Sequence, residues 1–223
     1  SNYRSTLERH LNRKPMTHLG AVNLGLDLCA ALAVCRRSGF LYIDLKPGNI
    51  YICSDHEYRI GDLGFIDMSS LAYASLPEKY LSAYTAPEIT DAYSALNETL
   101  DIYAAGLILY QVYNNGELPA QTGGAFPPPA YADYEMAEII LKACEPDPDK
   151  RWADPLEPLC LCLLWGSQEL QNNVNKGIGQ RHPLSNYADC GVARALLDAE
   201  ALRESCNVAF WLVGFVNRCE NCL

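Results

Sequence analysis

Residues 41–50 read LYIDLKPGNI, and the fold turns on how that stretch is read. An apolar run, Phe40 to Ile43, breaks into Asp44-Leu45-Lys46-Pro47-Gly48-Asn49, which packs a carboxylate, an ammonium and an amide into six residues. Burying ionisable groups beside a strand-like segment costs several kcal/mol unless they are paired or at work. The stretch therefore asks for chemistry.

Its surroundings alternate between two periods. Upstream, Leu19 to Arg37 repeats apolar residues at Leu24, Leu28, Ala31, Leu32 and Cys35, a helical spacing that ends in Arg36-Arg37-Ser38-Gly39. Downstream, Ile50 to Cys53 and Tyr58 to Ile60 flank the polar Ser54-Asp55-His56-Glu57 and predict a short hairpin. Leu100 to Tyr113, LDIYAAGLILYQVY, is apolar nearly all round and predicts a helix buried on most sides. A loop follows at Gly123 to Pro129, and Tyr134 to Cys144 returns to helical spacing before Pro146 and Pro148.

Composition narrows the class. At 223 residues, with 49% apolar and 20% charged side chains, the chain can bury roughly 70% of its unfolded surface. Seventeen basic against 27 acidic residues give a net charge of −10, which argues against nucleic-acid partners. The apolar run Val208 to Val216 is about half the length a bilayer span needs, so no membrane segment is expected and a cytoplasmic setting is. Four of the ten cysteines precede residue 150 and six lie in the last 64 residues; Cys160-x-Cys162 and Cys219-x-x-Cys222, without second pairs, are read as inert thiols rather than a metal site. His10, His18, His56 and His182 are expected at the surface, and Trp152 and Trp165 in packing.

Three more punctuated motifs follow the opening stretch: Asp62-Leu63-Gly64 after the second hairpin strand, Ala86-Pro87-Glu88, and Asp101 with Gly106 in the buried helix. In this order and context they resemble the C-terminal lobe of a protein kinase of the serine/threonine type, over roughly residues 5 to 155. The resemblance implies a mainly helical lobe of the α+β family, with a small hairpin, in residues 1–157. Residues 158–223 would be a divergent or unrelated Cys-rich tail, either a true extension or a shifted reading frame. It also implies that Asp44 orients or deprotonates a substrate hydroxyl, that Lys46 contacts the γ-phosphate of ATP, and that Asn49 and Asp62 hold Mg2+. Glu88 would pair with Arg151, Asp101 would hold the catalytic loop from below, and residues 62 to 88 would form the activation segment. The partners implied are ATP and a protein substrate, with Ser/Thr favoured by Lys46; a small-molecule phosphotransferase fits Ala86-Pro87-Glu88 and Arg151 less well.

The chain departs from that pattern in four places. Tyr42-Ile43 stand where relatives carry His-Arg, so phosphorylation of Ser69, Ser70, Ser75 or Ser82 is not expected to act through that Arg. Tyr80-Leu81 fall on the usual Gly-Thr, so the hydroxyl that bridges Asp44 and Lys46 in relatives is absent unless Ser82 substitutes. Leu63 replaces the usual Phe, an apolar exchange. No Gly-x-Gly-x-x-Gly and no strand-borne Lys precedes residue 41, while Ser5 to Leu11 resembles the first helix after the interlobe hinge. The reading is therefore a protein serine/threonine kinase whose 223 residues are inactive alone, against a non-catalytic, pseudokinase-like scaffold.

Overall fold

The computed structural model describes residues 4–12, 15–54, 57–61, 66–67, 78–89, 96–120 and 125–155. The chain divides into two units at Leu159/Cys160, and every described residue belongs to the first. Asp62-Leu63-Gly64, Ser69, Ser70, Ser75, the Cys-rich tail and the helix expected at Asp198 to Val216 lie outside the described residues.

In chain order the elements are β1 (Ser5–Thr6), α1 (Leu7–Leu11), α2 (His18–Arg37), β2 (Phe40–Leu41), β3 (Ile50–Ser54), β4 (Glu57–Ile60), β5 (Ile66–Asp67), α3 (Leu100–Tyr113) and α4 (Tyr134–Ala143). Short 3-10 turns sit at Pro47–Asn49, Glu78–Tyr80 and Pro148–Lys150. The long helix begins one residue earlier than its apolar spacing suggests, because Thr17 caps it: the Thr17 hydroxyl accepts the Gly20 N–H at 3.1 Å. It stops where Gly39 takes φ 82°. By length and apolarity α2 could cross a bilayer, yet Leu24, Leu28 and Leu32 are buried within this unit as the helix packs on α3 and β4. The Asp27 carboxylate accepts the Tyr58 N–H at 2.8 Å and pins α2 to the hairpin.

α3 is the spine. Every residue of it except Gln111 is buried. α4, capped by Asp133 accepting the Met136 N–H at 2.9 Å, crosses α3 at Gly106. A Cβ there would lie 2.8 Å from both Ala143 Cβ and Cys144 Sγ, so only glycine lets the helices approach this closely.

The β content exceeds one hairpin, and the fold is mixed, about half helical. Ser5 and Thr6 pair with Ile52 and Tyr51, making an antiparallel sheet in the order β1-β3-β4. The start of the segment expected as a first helix is therefore strand, and its Thr6 then caps α1 by accepting from Arg9 N–H at 3.4 Å. Within the hairpin Ile50 faces Ile60 and Ile52 faces Tyr58, with the register shifting between Ile52 and Ser54. A second antiparallel pair joins Phe40 to Asp67 and Leu41 to Ile66. His18 is more than a surface residue, since its Nδ1 lies 3.0 Å from the Tyr113 hydroxyl. Trp152 packs as expected, donating from Nε1 to the Ile139 carbonyl at 3.1 Å, with Lys142 Nζ 3.7 Å from its ring centre.

Candidate active site

The loop after β2 is held from beneath. Tyr42 is fully buried, and Ile43 takes φ 72°, a left-handed conformation that a β-branched side chain adopts at a cost of about 1–3 kcal/mol. What imposes it is Asp101. One carboxylate oxygen accepts the Tyr42 N–H at 2.7 Å and the other the Ile43 N–H at 2.8 Å. Asp101 lies in the first turn of α3, where the helix dipole favours an anion. Burial nevertheless pushes its pKa up to about 6, against the pull of the two amides.

Next along the loop, three polar side chains converge. Lys46 Nζ donates to both oxygens of Asp44, at 2.8 Å each. Asn49 Nδ2 donates to the Asp44 carbonyl and to Asp44 Oδ2, both at 2.9 Å. The charged pair is screened unequally: the Asp44 side chain is 12% exposed and that of Lys46 36%. A carboxylate oriented by an amide and partly neutralised by an ammonium is fixed in direction while its cation still reaches solvent.

Local sequence sets this geometry. Pro47 starts the 3-10 turn with its φ already restricted and no N–H to satisfy, and the Asn49 N–H closes the turn on the Lys46 carbonyl at 2.9 Å. The Asn49 carbonyl in turn accepts the Gly61 N–H at 2.9 Å, and the Tyr42 hydroxyl donates to the Gly61 carbonyl. A Cβ at Gly61 would lie 2.5 Å from the Tyr51 ring, which accounts for glycine there. Asp62 follows Gly61 in the chain and lies outside the described residues. Thus Asp44, Lys46 and Asn49 are brought together, and Gly61 is tied to them.

The donor set suits a hard divalent cation, which takes oxygen ligands. Asn49 uses its nitrogen on Asp44, and among the described residues no hydrogen bond is made to its Oδ1, which leaves a carboxamide oxygen for a metal.

The expected structural pair also forms. Arg151 donates to Glu88 through Nη1 to Oε1 at 2.7 Å and Nη2 to Oε2 at 2.6 Å. Its remaining donors reach the Glu145 carbonyl at 2.7 Å and the Pro146 carbonyl at 3.1 Å, and its guanidinium stacks 4.7 Å from the Tyr103 ring centre. Burial would raise the Glu88 pKa, but hydrogen bonds from Arg151 and Asn97 outweigh it and hold the carboxyl below its ordinary range. Asn97 was not signalled by any motif; it donates to Glu88 Oε1 at 2.9 Å and accepts from Thr99 N–H at 2.8 Å.

Residues 78–89 show a second unsignalled link, in which the Tyr84 hydroxyl donates to Gln111 Oε1 at 2.7 Å and Gln111 donates to the Gly116 carbonyl at 2.8 Å. Ser82 does not take the bridging place suggested for it. Its hydroxyl accepts the Tyr84 N–H at 3.2 Å, and among the described residues no hydrogen bond joins it to Asp44 or Lys46.

The family model described as the protein kinase domain matches residues 2–159. A probable serine/threonine-protein kinase of Dictyostelium discoideum is 26% identical over 142 residues, covering 57% of this chain and 16% of the relative. A serine/threonine-protein kinase of Schizosaccharomyces pombe is 31% identical over 95 residues, covering 42% and 14%. A probable serine/threonine-protein kinase of Clostridium perfringens is 24% identical over 149 residues, covering 59% and 22%. The chain spans less than a quarter of the length of these relatives.

Proposed function

The chain belongs to the protein kinase family, and from that membership we propose that its gene product transfers the γ-phosphate of ATP to Ser or Thr of a protein. Residues 5–155 are read as the C-terminal lobe, with the site at the loop between β2 and β3. One observation carries this reading: the Asp44 carboxylate is held jointly by Lys46 and Asn49. In a phosphoryl transfer the protein mainly positions groups and spreads charge. Asp44 orients the substrate hydroxyl and receives its proton. Lys46, already beside that carboxylate, places its ammonium by the transferred phosphoryl group. Asn49 and Asp62 would hold Mg2+, which would supply positive charge to the phosphates. Asp101 acts only through the backbone it clamps.

A second reading, a non-catalytic scaffold, is favoured by the absence, among the described residues, of a hydroxyl bonded to Asp44 or Lys46 and by Ile43 in place of the Arg that couples phosphorylation to activity in relatives. Titration of the full gene product with Mg2+-ATP, followed by thermal melting, separates the two. The enzyme reading expects a Mg2+-dependent rise in melting temperature that Asp62→Asn abolishes. No rise with the wild type supports the scaffold.

A further inference from the structure

Tyr42 is fully buried, yet its side chain ends in a hydroxyl. Burying a hydroxyl costs free energy unless it finds a partner. The partner is the Gly61 carbonyl, 19 residues on. Phenylalanine would fill nearly the same volume, so what tyrosine adds at this position is that one bond.

The bond closes a ring. The Gly61 N–H donates to the Asn49 carbonyl at 2.9 Å. Asn49 Nδ2 donates to the Asp44 carbonyl, again at 2.9 Å. The Asp44 N–H returns to the Tyr42 carbonyl at 3.0 Å, across Ile43 with its φ of 72°, in a tight three-residue turn. Donation runs one way round, from Tyr42 to Gly61 to Asn49 to Asp44 and back to Tyr42, an arrangement in which hydrogen bonds polarise one another. Asn49, itself buried, is gripped at both ends: its main-chain carbonyl by Gly61 and its amide nitrogen by Asp44. Those two grips fix the direction of its remaining oxygen, Oδ1.

We propose that the Tyr42 hydroxyl is a positioning group for Asn49 as a metal ligand, acting through Gly61; the proposal rests on the phosphoryl-transfer reading, which supplies Mg2+ as the metal. A small hard cation demands near-ideal octahedral geometry, so a carboxamide oxygen free to swing binds it less well than one held in advance. Without the hydroxyl the Gly61 carbonyl loses its donor, the grip of Gly61 on the Asn49 carbonyl slackens, and Oδ1 loses its fixed direction. Asp101 grips the Tyr42 main chain and the hydroxyl grips Gly61, so Tyr42→Phe removes the second link and keeps the first.

The test is titration of the full gene product with Mn2+ as a paramagnetic stand-in for Mg2+, in the presence of a non-hydrolysable ATP analogue, with free Mn2+ read by electron paramagnetic resonance below the melting temperature of every variant. Tyr42→Phe should weaken Mn2+ binding by about tenfold or more, the loss expected when an outer partner of a metal ligand is removed, and should leave affinity for the metal-free analogue unchanged. In an Asn49→Ala background the same change should cost nothing further, because its route to the metal is gone. Tyr113→Phe removes another buried hydroxyl, the one beside His18 Nδ1, about 18 Å along α3 from Asp101, and should bind Mn2+ as the wild type does. A merely structural hydroxyl would lower the melting temperature and leave Mn2+ affinity where it was. Equal Mn2+ affinity of the wild type and Tyr42→Phe, or an undiminished further loss in the Asn49→Ala background, overturns the proposal and leaves phosphoryl transfer standing. No Mn2+ binding by the wild type overturns both.

Discussion

Asp101 and Ile43 are joined by a hydrogen bond of 2.8 Å, from the Ile43 N–H to Oδ1, and Ile43 at that point has φ 72°. The same carboxylate accepts the Tyr42 N–H, so one buried side chain sets the backbone that carries Asp44 into the site. Asp101→Ala leaves both amides without an acceptor, at about 1–3 kcal/mol for each that stays buried. Urea denaturation should report a loss of this size, and an unchanged midpoint would remove Asp101 from the account.

The same group predicts a pH dependence. Its folded pKa, raised from 3.8 to about 6, exceeds the unfolded one, so the folded state binds the extra proton between those values. Its contribution to stability is complete below 3.8 and is lost as pH rises through about 6. Asp101→Asn should flatten the fall in stability over that window, measured by urea midpoints at stepped pH. An identical slope in the variant would contradict the assignment.

Glu88 behaves in the opposite sense. Its folded pKa is lowered, so its contribution is present above the ordinary carboxylate range and disappears as pH falls through the folded value. The Arg151 side chain is fully buried, and removing its partner strands that charge. Glu88→Gln should destabilise by about 3 kcal/mol at neutral pH and by less in acid. A neutral-pH loss near zero would show the pair to be dispensable.

Gly106→Ala tests the α3–α4 crossing. Alanine is the better helix former by about 1 kcal/mol, but its Cβ would meet Ala143 and Cys144 at 2.8 Å. Overpacking costs about 1–3 kcal/mol, so a net loss in melting temperature is expected, eased when Cys144→Ala is added. A more stable single variant would show that the helices separate freely.

Elements with a long period were legible from residues alone. α2, α3 and α4 repeat apolar positions over ten or more residues, and the hairpin alternates beside a polar turn, so local pattern and tertiary packing agree. β1 and β5 were not, because two residues show no period and their pairing is with strands distant in sequence, as in Thr6 with Tyr51, while the strand-like run Phe40 to Ile43 proved to be strand only at Phe40–Leu41. Asp44, Lys46 and Asn49 lie within six residues and could be read together; Asp101 and the Glu88–Arg151 pair came through the family's motifs. Asn97 and Gln111 carried no such signal, since a lone amide matters here only through the partner that folding brings to it.

The 223 residues contain no Gly-x-Gly-x-x-Gly to cover nucleotide phosphates. They should therefore transfer little or no phosphate by themselves, since water left in the site weakens the electrostatic stabilisation. Robust autophosphorylation of these residues alone would contradict this.

Phosphoryl transfer through Asp44 is the activity proposed for this protein. The direct measurement is incorporation of labelled γ-phosphate from Mg2+-ATP into Ser/Thr peptides by the full gene product, wild type against Asp44→Asn. Incorporation on Ser or Thr is expected with the wild type, falling by about a hundredfold or more in the variant, the loss that follows when a group acting on the reacting hydroxyl is removed. No incorporation by the wild type, or equal rates in the two proteins, would contradict it.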